Sequence, residues 1–156
     1  MNFHFDTAQV FIPDKLPVEQ ALASTTHLCL AAHPDEIEIM SLAPILKSFH
    51  SNDLWFTGVV MSDGRGSPRN GNYEHVSDEK MRQMRIQEQQ KAAVVGDYAS
   101  LILLDYPSSL LKDSANYDIE EDLISIIRAT RPDVIYTHNL IDRHDTHVAS
   151  AIRTIK

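Results

Sequence analysis

The sequence has a single cysteine, Cys29, and therefore no partner for an intramolecular disulfide. That excludes a disulfide-framed scaffold and suits a reducing compartment. It also excludes a zinc site made of thiolates. No apolar run approaches the roughly 20 residues of a membrane-spanning helix. The opening residues, Met1-Asn2-Phe3-His4-Phe5-Asp6, lack the basic and apolar regions of a secretory signal. Positive charge is scarce: 14 Lys and Arg against 22 Asp and Glu give a formal charge of −8. So acidic a surface argues against nucleic acid or an anionic membrane as the main partner. Glycine is sparse, and there is no repeat, low-complexity tract or Gly/Ser linker. What remains is 156 residues, 43% hydrophobic and 23% charged, enough for one globular core. The expectation is one soluble, cytoplasmic domain.

Along that domain, apolar runs alternate with helical periods. Residues 1–26 read as an N-terminal extension with a short strand at Val10-Phe11-Ile12 and a short helix from Pro17 to Ala23. His27 to Ala32 reads as the first strand of a regular series. Apolar residues at 37, 39, 42, 45, 46 and 49 then predict one helix from Ile37 to His50. Leu54 to Met61, rich in aromatic and β-branched residues, predicts the second strand. The polar stretch Ser62 to Gly71 holds three of the five glycines and reads as a loop. Ser77-Asp78-Glu79 opens a helix that runs to Val95 and stops at Gly96, read as a left-handed C′ glycine. Leu101 to Leu104 is the third strand, Tyr117 to Thr130 a helix, and Val134 to Thr137 the fourth strand. A polar loop from His138 to Asp145 leads into a last helix, Thr146 to Lys156. Strand–helix alternation implies βαβ units, a mostly parallel sheet and an α/β fold. Four strands are few for such a sheet, which raises the hypothesis of a fragment whose later strands are missing.

Eight histidines are many for this length, and their placement is uneven. His4, His27, His50 and His75 are scattered and read as structural or exposed. His33 follows the first strand directly, in Ala32-His33-Pro34-Asp35-Glu36. A helix start accounts for the proline and the acidic residues. It does not account for His33, whose cation is disfavoured at a helix N-terminus. A neutral His33 and Glu36, three residues apart on one side of the opening turn, can share a metal. Asp35 then projects elsewhere, free to take a proton from water. His138, His144 and His147 follow the fourth strand, the last two in Asp142-Arg143-His144-Asp145-Thr146-His147. The bland reading there is a solvated loop capped by Asp145 or Thr146.

Position joins the two clusters. Ligands of open α/β sheets bind beyond the carboxyl ends of the strands, where strand order reverses. With the series ordered 3-2-1-4, its first and fourth strands are neighbours and the clusters meet. Two histidines and one carboxylate leave a metal an open position, the mark of a catalytic site. Zn2+ suits that set, and so does Fe2+.

These residues carry a resemblance. Ala-His-Pro-Asp-Glu-x-Glu at 32–38, Arg85-x-x-Glu88 with Ala92-Ala93, Leu104-Asp105-Tyr106-Pro107, and the run Arg131 to His147 resemble the LmbE-like (PIG-L) deacetylases. The similarity extends from about residue 27 to the C-terminus. It implies a three-layer Rossmann-like fold and a zinc-dependent amide hydrolase acting on linear C–N bonds. The substrate class would be a small amino sugar conjugate such as an N-acetylglucosaminyl compound. By resemblance His33, Glu36 and His147 are the metal ligands, Asp35 the general base, and His144 the group that polarises or protonates the reacting amide. Glu36 stands where the family usually has Asp. The family's HPDH is replaced by His144-Asp145-Thr146-His147, leaving Asp142 or Asp145 to orient the catalytic histidine.

Other readings attach to other features. Arg65 and Arg69 in the glycine-rich loop are candidates for a substrate carboxylate or phosphate. The loop has neither GxxxxGK[ST] nor GxGxxG, which argues against a nucleotide site. Arg85 and Glu88 read as an ion pair on one helix face. The altered His144–His147 motif favours a competing class, a metal- or sugar-binding domain without catalysis.

Overall fold

The computed structural model describes residues 1–156. Five strands, β1 (Gln9–Phe11), β2 (His27–Ala31), β3 (Phe56–Ser62), β4 (Ser100–Tyr106) and β5 (Val134–Thr137), form one sheet in the order β1-β4-β3-β2-β5. β1 pairs antiparallel with β4, and every other pair is parallel. The four strands of the regular series thus stand in the order 3-2-1-4. The extension is built into the same fold, since β1 supplies one edge and Leu22 of α1 (Val18–Ala23) lies in the core.

The three central strands, β2, β3 and β4, are buried on both faces because they are almost unbroken apolar runs, whereas the edge strands β1 and β5 are half-buried or exposed. Alternate side chains divide it. Leu28, Leu30, Val59, Met61, Ile102 and Leu104 pack on one face with Leu111, Ile119, Leu123 and Ile126. Those partners come from α5 (Ser108–Lys112) and α6 (Asp118–Thr130), and α7 (Asp145–Ile155) packs beside both. Cys29, Ala31, Phe56, Val60, Leu101 and Leu103 pack on the other face, with Ile37, Ile45 and Ala93. These last belong to α2 (Glu36–Met40), α3 (Leu42–Ser48) and α4 (Asp78–Val95). The architecture is three-layered α/β.

Three local readings need correction. The helix expected over Ile37–His50 is two helices that meet at Ser41. Pro44 has no N–H for the Met40 carbonyl, so one helix cannot continue through that turn. Gly96 is not left-handed: its φ is −82°, and Asp97 takes the left-handed turn at φ 55°. Glycine is required at 96 by crowding, since a Cβ there would lie 2.5 Å from the Tyr98 ring. β4 runs past Leu104 to Tyr106, carrying Asp105 within it at φ 64°. Asp105 is tolerated because buried Arg82 clasps both its oxygens, at 2.6 Å each. The short α5 was not read from sequence; five residues are too few to show a period.

Candidate metal centre

β2 delivers Ala32 and His33 to the carboxyl edge of the sheet, and the chain then turns sharply. Asp35 makes that turn in the left-handed region, φ 76° and ψ −12°, a conformation Asp tolerates better than most residues. The turn starts α2 and swings Glu36 back over His33. Glu36 Oε2 accepts the His33 amide N–H at 2.7 Å, and Oε1 lies 2.8 Å from His33 Nδ1.

β5, beside β2, delivers the other histidines. His147 Nε2 reaches Glu36 Oε1 at 2.5 Å, and His147 Nδ1 lies 3.1 Å from Asp142 Oδ2. The three expected ligands, His33, Glu36 and His147, therefore meet at one carboxylate oxygen. His144 stacks on His147 with ring centroids 4.4 Å apart and stands 4.9 Å from the His33 ring. It caps α7, its Nδ1 accepting the Thr146 N–H at 3.3 Å. Neither expected cap residue takes that position.

Of the two acidic residues, Asp142 makes the closer contacts to the histidines, while Asp145 Oδ1 stands 3.6 Å from His144 Nδ1. Asp142 accepts the His144 amide as well as facing His147, and these contacts hold its carboxyl below the usual range. Asp145 is turned to Lys112 Nζ at 3.2 Å and to the Thr146 amide.

His138, not among the expected ligands, stands against the centre. It is buried and stacks on His147 at 4.2 Å. Its Nε2 accepts the Ala32 N–H at 2.9 Å and lies 3.1 Å from Glu36 Oε2. A nitrogen whose lone pair holds an amide cannot also donate to the carboxylate, so the Ala32 bond, the shorter, sets the tautomer. The sequence signal is a histidine directly after β5, the strand that pairs with the one leading to His33.

Burial alone would raise the Glu36 carboxyl, but the His33 ring and the His33 amide N–H oppose this and hold it below the usual range. It is a fixed anion. Asp35 goes the other way: crowding by the protein raises its carboxyl, opposed by Arg85, with Glu36, Glu38 and Glu88 adding to the rise. Two adjacent carboxyls are thereby pushed apart, the usual sign of different roles.

The ligand atoms of His33, His144 and His147 lie within 4.8 Å of one another, as do those of Glu36, His138 and His147. Imidazole nitrogens around a carboxylate oxygen suit Zn2+ or Fe2+. Cys29 has no part in this, buried in the sheet with its thiol pushed up to about 12.

A cavity of about 400 Å³ opens over the centre, lined only by polar, charged, glycine and proline residues. Asp35 is on its wall, and its cations are Arg85 and Lys112. Arg85 Nη1 bonds Asp35 at 3.2 Å and Glu88 at 2.9 Å, so the expected ion pair is also tied to the site. Arg65 and Arg69 do not line it. Arg65 is held by Asp63 and Glu79, and Arg69 by Asp78 and loop carbonyls. Gly64, at φ 70°, lets that loop approach Pro34 and Arg85, where a Cβ would sit 3.1 Å from each.

Residues 28–155 match the family described as PIG-L: GlcNAc-PI de-N-acetylase. The chain belongs to the PIG-L family. Three solved structures share the fold of this PIG-L domain, each over 84% of the chain. They are N,N′-diacetylchitobiose deacetylase from Pyrococcus horikoshii (21% identity, TM-score 0.72), a conserved protein from Thermus thermophilus (19%, 0.67), and GalB, the 4-carboxy-2-hydroxymuconate hydratase from Pseudomonas putida (20%, 0.69). The matches cover 48%, 54% and 54% of those chains, so this chain spans about half their length. No curated protein matches the sequence. One of the three is named a hydratase, so fold alone does not assign the chemistry. No helix is long and apolar enough to cross a membrane.

Proposed function

We propose that this PIG-L domain is a metal-dependent N-deacetylase that hydrolyses the acetamide of a small amino sugar conjugate, in the cytoplasm. The observation that carries the reading is the meeting of His33, Glu36 and His147 at one oxygen, beside Asp35, under a cavity lined mainly by charged and polar side chains.

His33, Glu36 and His147 would hold Zn2+ or Fe2+, which when bound supplies Lewis acidity for the carbonyl and acidifies water. The remaining work falls to side chains of this chain. Asp35 accepts a proton from the water that attacks the amide carbon. Its raised carboxyl brings it closer to neutrality, as a general base requires. His144, with Nδ1 committed to the Thr146 amide, presents Nε2–H to the carbonyl oxygen as charge develops there. The C–N bond then breaks, and Asp35 returns its proton to the departing amine. Acetate and a free amino sugar result. A lining rich in charged and hydrogen-bonding side chains matches a hydroxyl-rich substrate.

Acetate release from N-acetylglucosamine and N,N′-diacetylchitobiose tests this. Turnover is expected with added Zn2+, and Asp35→Asn should lose roughly 10²–10⁴-fold. Full turnover in that variant with metal still bound overturns the assignment of the base.

A second reading, binding without catalysis, rests on Asp145, which is bonded to Lys112 at 3.2 Å and stands 3.6 Å from His144 Nδ1, too far for a hydrogen bond that would orient the ring. It predicts metal or sugar binding with no acetate released.

A further inference from the structure

Behind the Asp35 turn lies a buried network that the mechanism leaves unused. Gln89, in the middle of α4, is only 2% exposed. Its Oε1 accepts the Asp35 N–H at 2.8 Å, and its Nε2 donates to Glu38 Oε1 at 2.8 Å. Tyr98 O–H donates to the same Glu38 oxygen at 2.7 Å. The orientation of the Gln89 amide follows from its partners. A carboxylate can only accept, so the NH2 faces Glu38 and the carbonyl faces the Asp35 amide.

A non-glycine residue in the left-handed region persists only where its surroundings hold it. At Asp35 Arg85 holds the side chain and Gln89 holds the backbone N–H, while the Asp35 side chain does not cap α2. Both neighbouring roles depend on that turn: it aims the Asp35 carboxylate into the cavity and returns Glu36 to His33. We infer that Gln89, oriented by Glu38 and Tyr98, is a positioning residue for the reaction, holding the Asp35 backbone in its reactive conformation. This rests on the reading of Asp35 as general base.

The network specifies its own rescue. Gln89→Glu keeps an acceptor for the Asp35 amide but sets a second carboxylate against Glu38. Glu38→Gln added to it restores a donor between the two positions, with an acceptor left for Tyr98. Gln89→Met removes both polar contacts at similar volume.

The test uses the full chain loaded with Zn2+, acetate release from N,N′-diacetylchitobiose, and hydrogen exchange at the Asp35 amide. Gln89→Met is expected to lower kcat roughly 10–100-fold, the scale of a small misplacement of a reacting group, with KM nearly unchanged. Its Asp35 amide should exchange about tenfold faster, as for one lost net hydrogen bond. Gln89→Glu should be similarly slow, and Glu38→Gln/Gln89→Glu should recover most of kcat. If Asp35→Asn abolishes turnover while Gln89→Met keeps kcat, the positioning role is wrong and the base stands. Equal losses in kcat in Gln89→Glu and the double variant also overturn it. If Asp35→Asn turns over normally, or the wild type does not turn over at all, the base reading fails and this inference falls with it.

Discussion

Glu36 Oε1 and His147 Nε2 lie 2.5 Å apart, joining the end of β2 to the first turn of α7. The other His147 nitrogen faces Asp142, so this imidazole has a carboxylate oxygen at each end. A cation arriving beside Glu36 takes the Nε2 lone pair, and Asp142 keeps Nδ1 as the donor, the arrangement typical of a metal-ligating histidine. Zn2+ binding is therefore expected at about one ion per chain with release of protons. Calorimetry in buffers of different ionisation enthalpy reads that release. His147→Ala should abolish binding, and Asp142→Asn should weaken it roughly 10–100-fold. A His147→Ala protein that keeps its metal removes His147 from the ligand set.

Arg82 and Asp105 form the most enclosed ion pair near the site, 8% and 6% exposed. Removing one partner strands the other without solvent. Arg82→Met should therefore destabilise the fold by about 3–5 kcal/mol in urea or heat. Adding Asp105→Asn should recover much of that loss. A single variant as stable as wild type contradicts the buried pairing.

Far from the centre, His4 ties the N-terminus to α6. Its Nδ1 lies 3.0 Å from Asp122, with Glu121 and Asp118 around Nε2. The Asp122 hydrogen bond, ahead of the charges of these three residues, raises the ring above its usual 6.5. A raised folded value means the contribution is complete below 6.5 and fades as pH rises through the folded value. The stability gap between wild type and His4→Gln should be present at about pH 6 and shrink at higher pH. A gap that widens with pH reverses the sign and rejects the clamp.

The order of the central strands was legible because His33 and His147 need adjacent strand ends, and one order supplies them. The contact between Glu36 and His33 was likewise legible from spacing within a single turn. What escaped were contacts between distant segments. Nothing near Arg65 or Arg69 announces that Glu79 and Asp78 engage them, nor does Lys112 announce its place on the cavity wall. His138 looked like any loop histidine until β5 was laid against β2. Gly96 has the sequence position of a left-handed cap, but the neighbour that demands glycine there is Tyr98.

Gly58 shows how far that dependence on packing extends toward the centre. It lies in β3, and a Cβ added there would meet Ile37 Cδ1 at 2.8 Å and Tyr98 Cε2 at 3.3 Å. Ile37 is fully buried between Glu36 and Glu38, and Tyr98 is the donor to Glu38. Gly58→Ala must displace one of these side chains, at a cost of about 1–3 kcal/mol. Because Ile37 anchors α2, its displacement should also loosen Glu36 and lower Zn2+ affinity. Val94→Ala, at an exposed site on α4, serves as the control, with stability within about 0.5 kcal/mol of wild type. Thermal melts and Zn2+ titrations on both variants separate the effects. If Gly58→Ala loses stability yet binds Zn2+ with wild-type affinity, α2 holds Glu36 independently of the sheet beneath it.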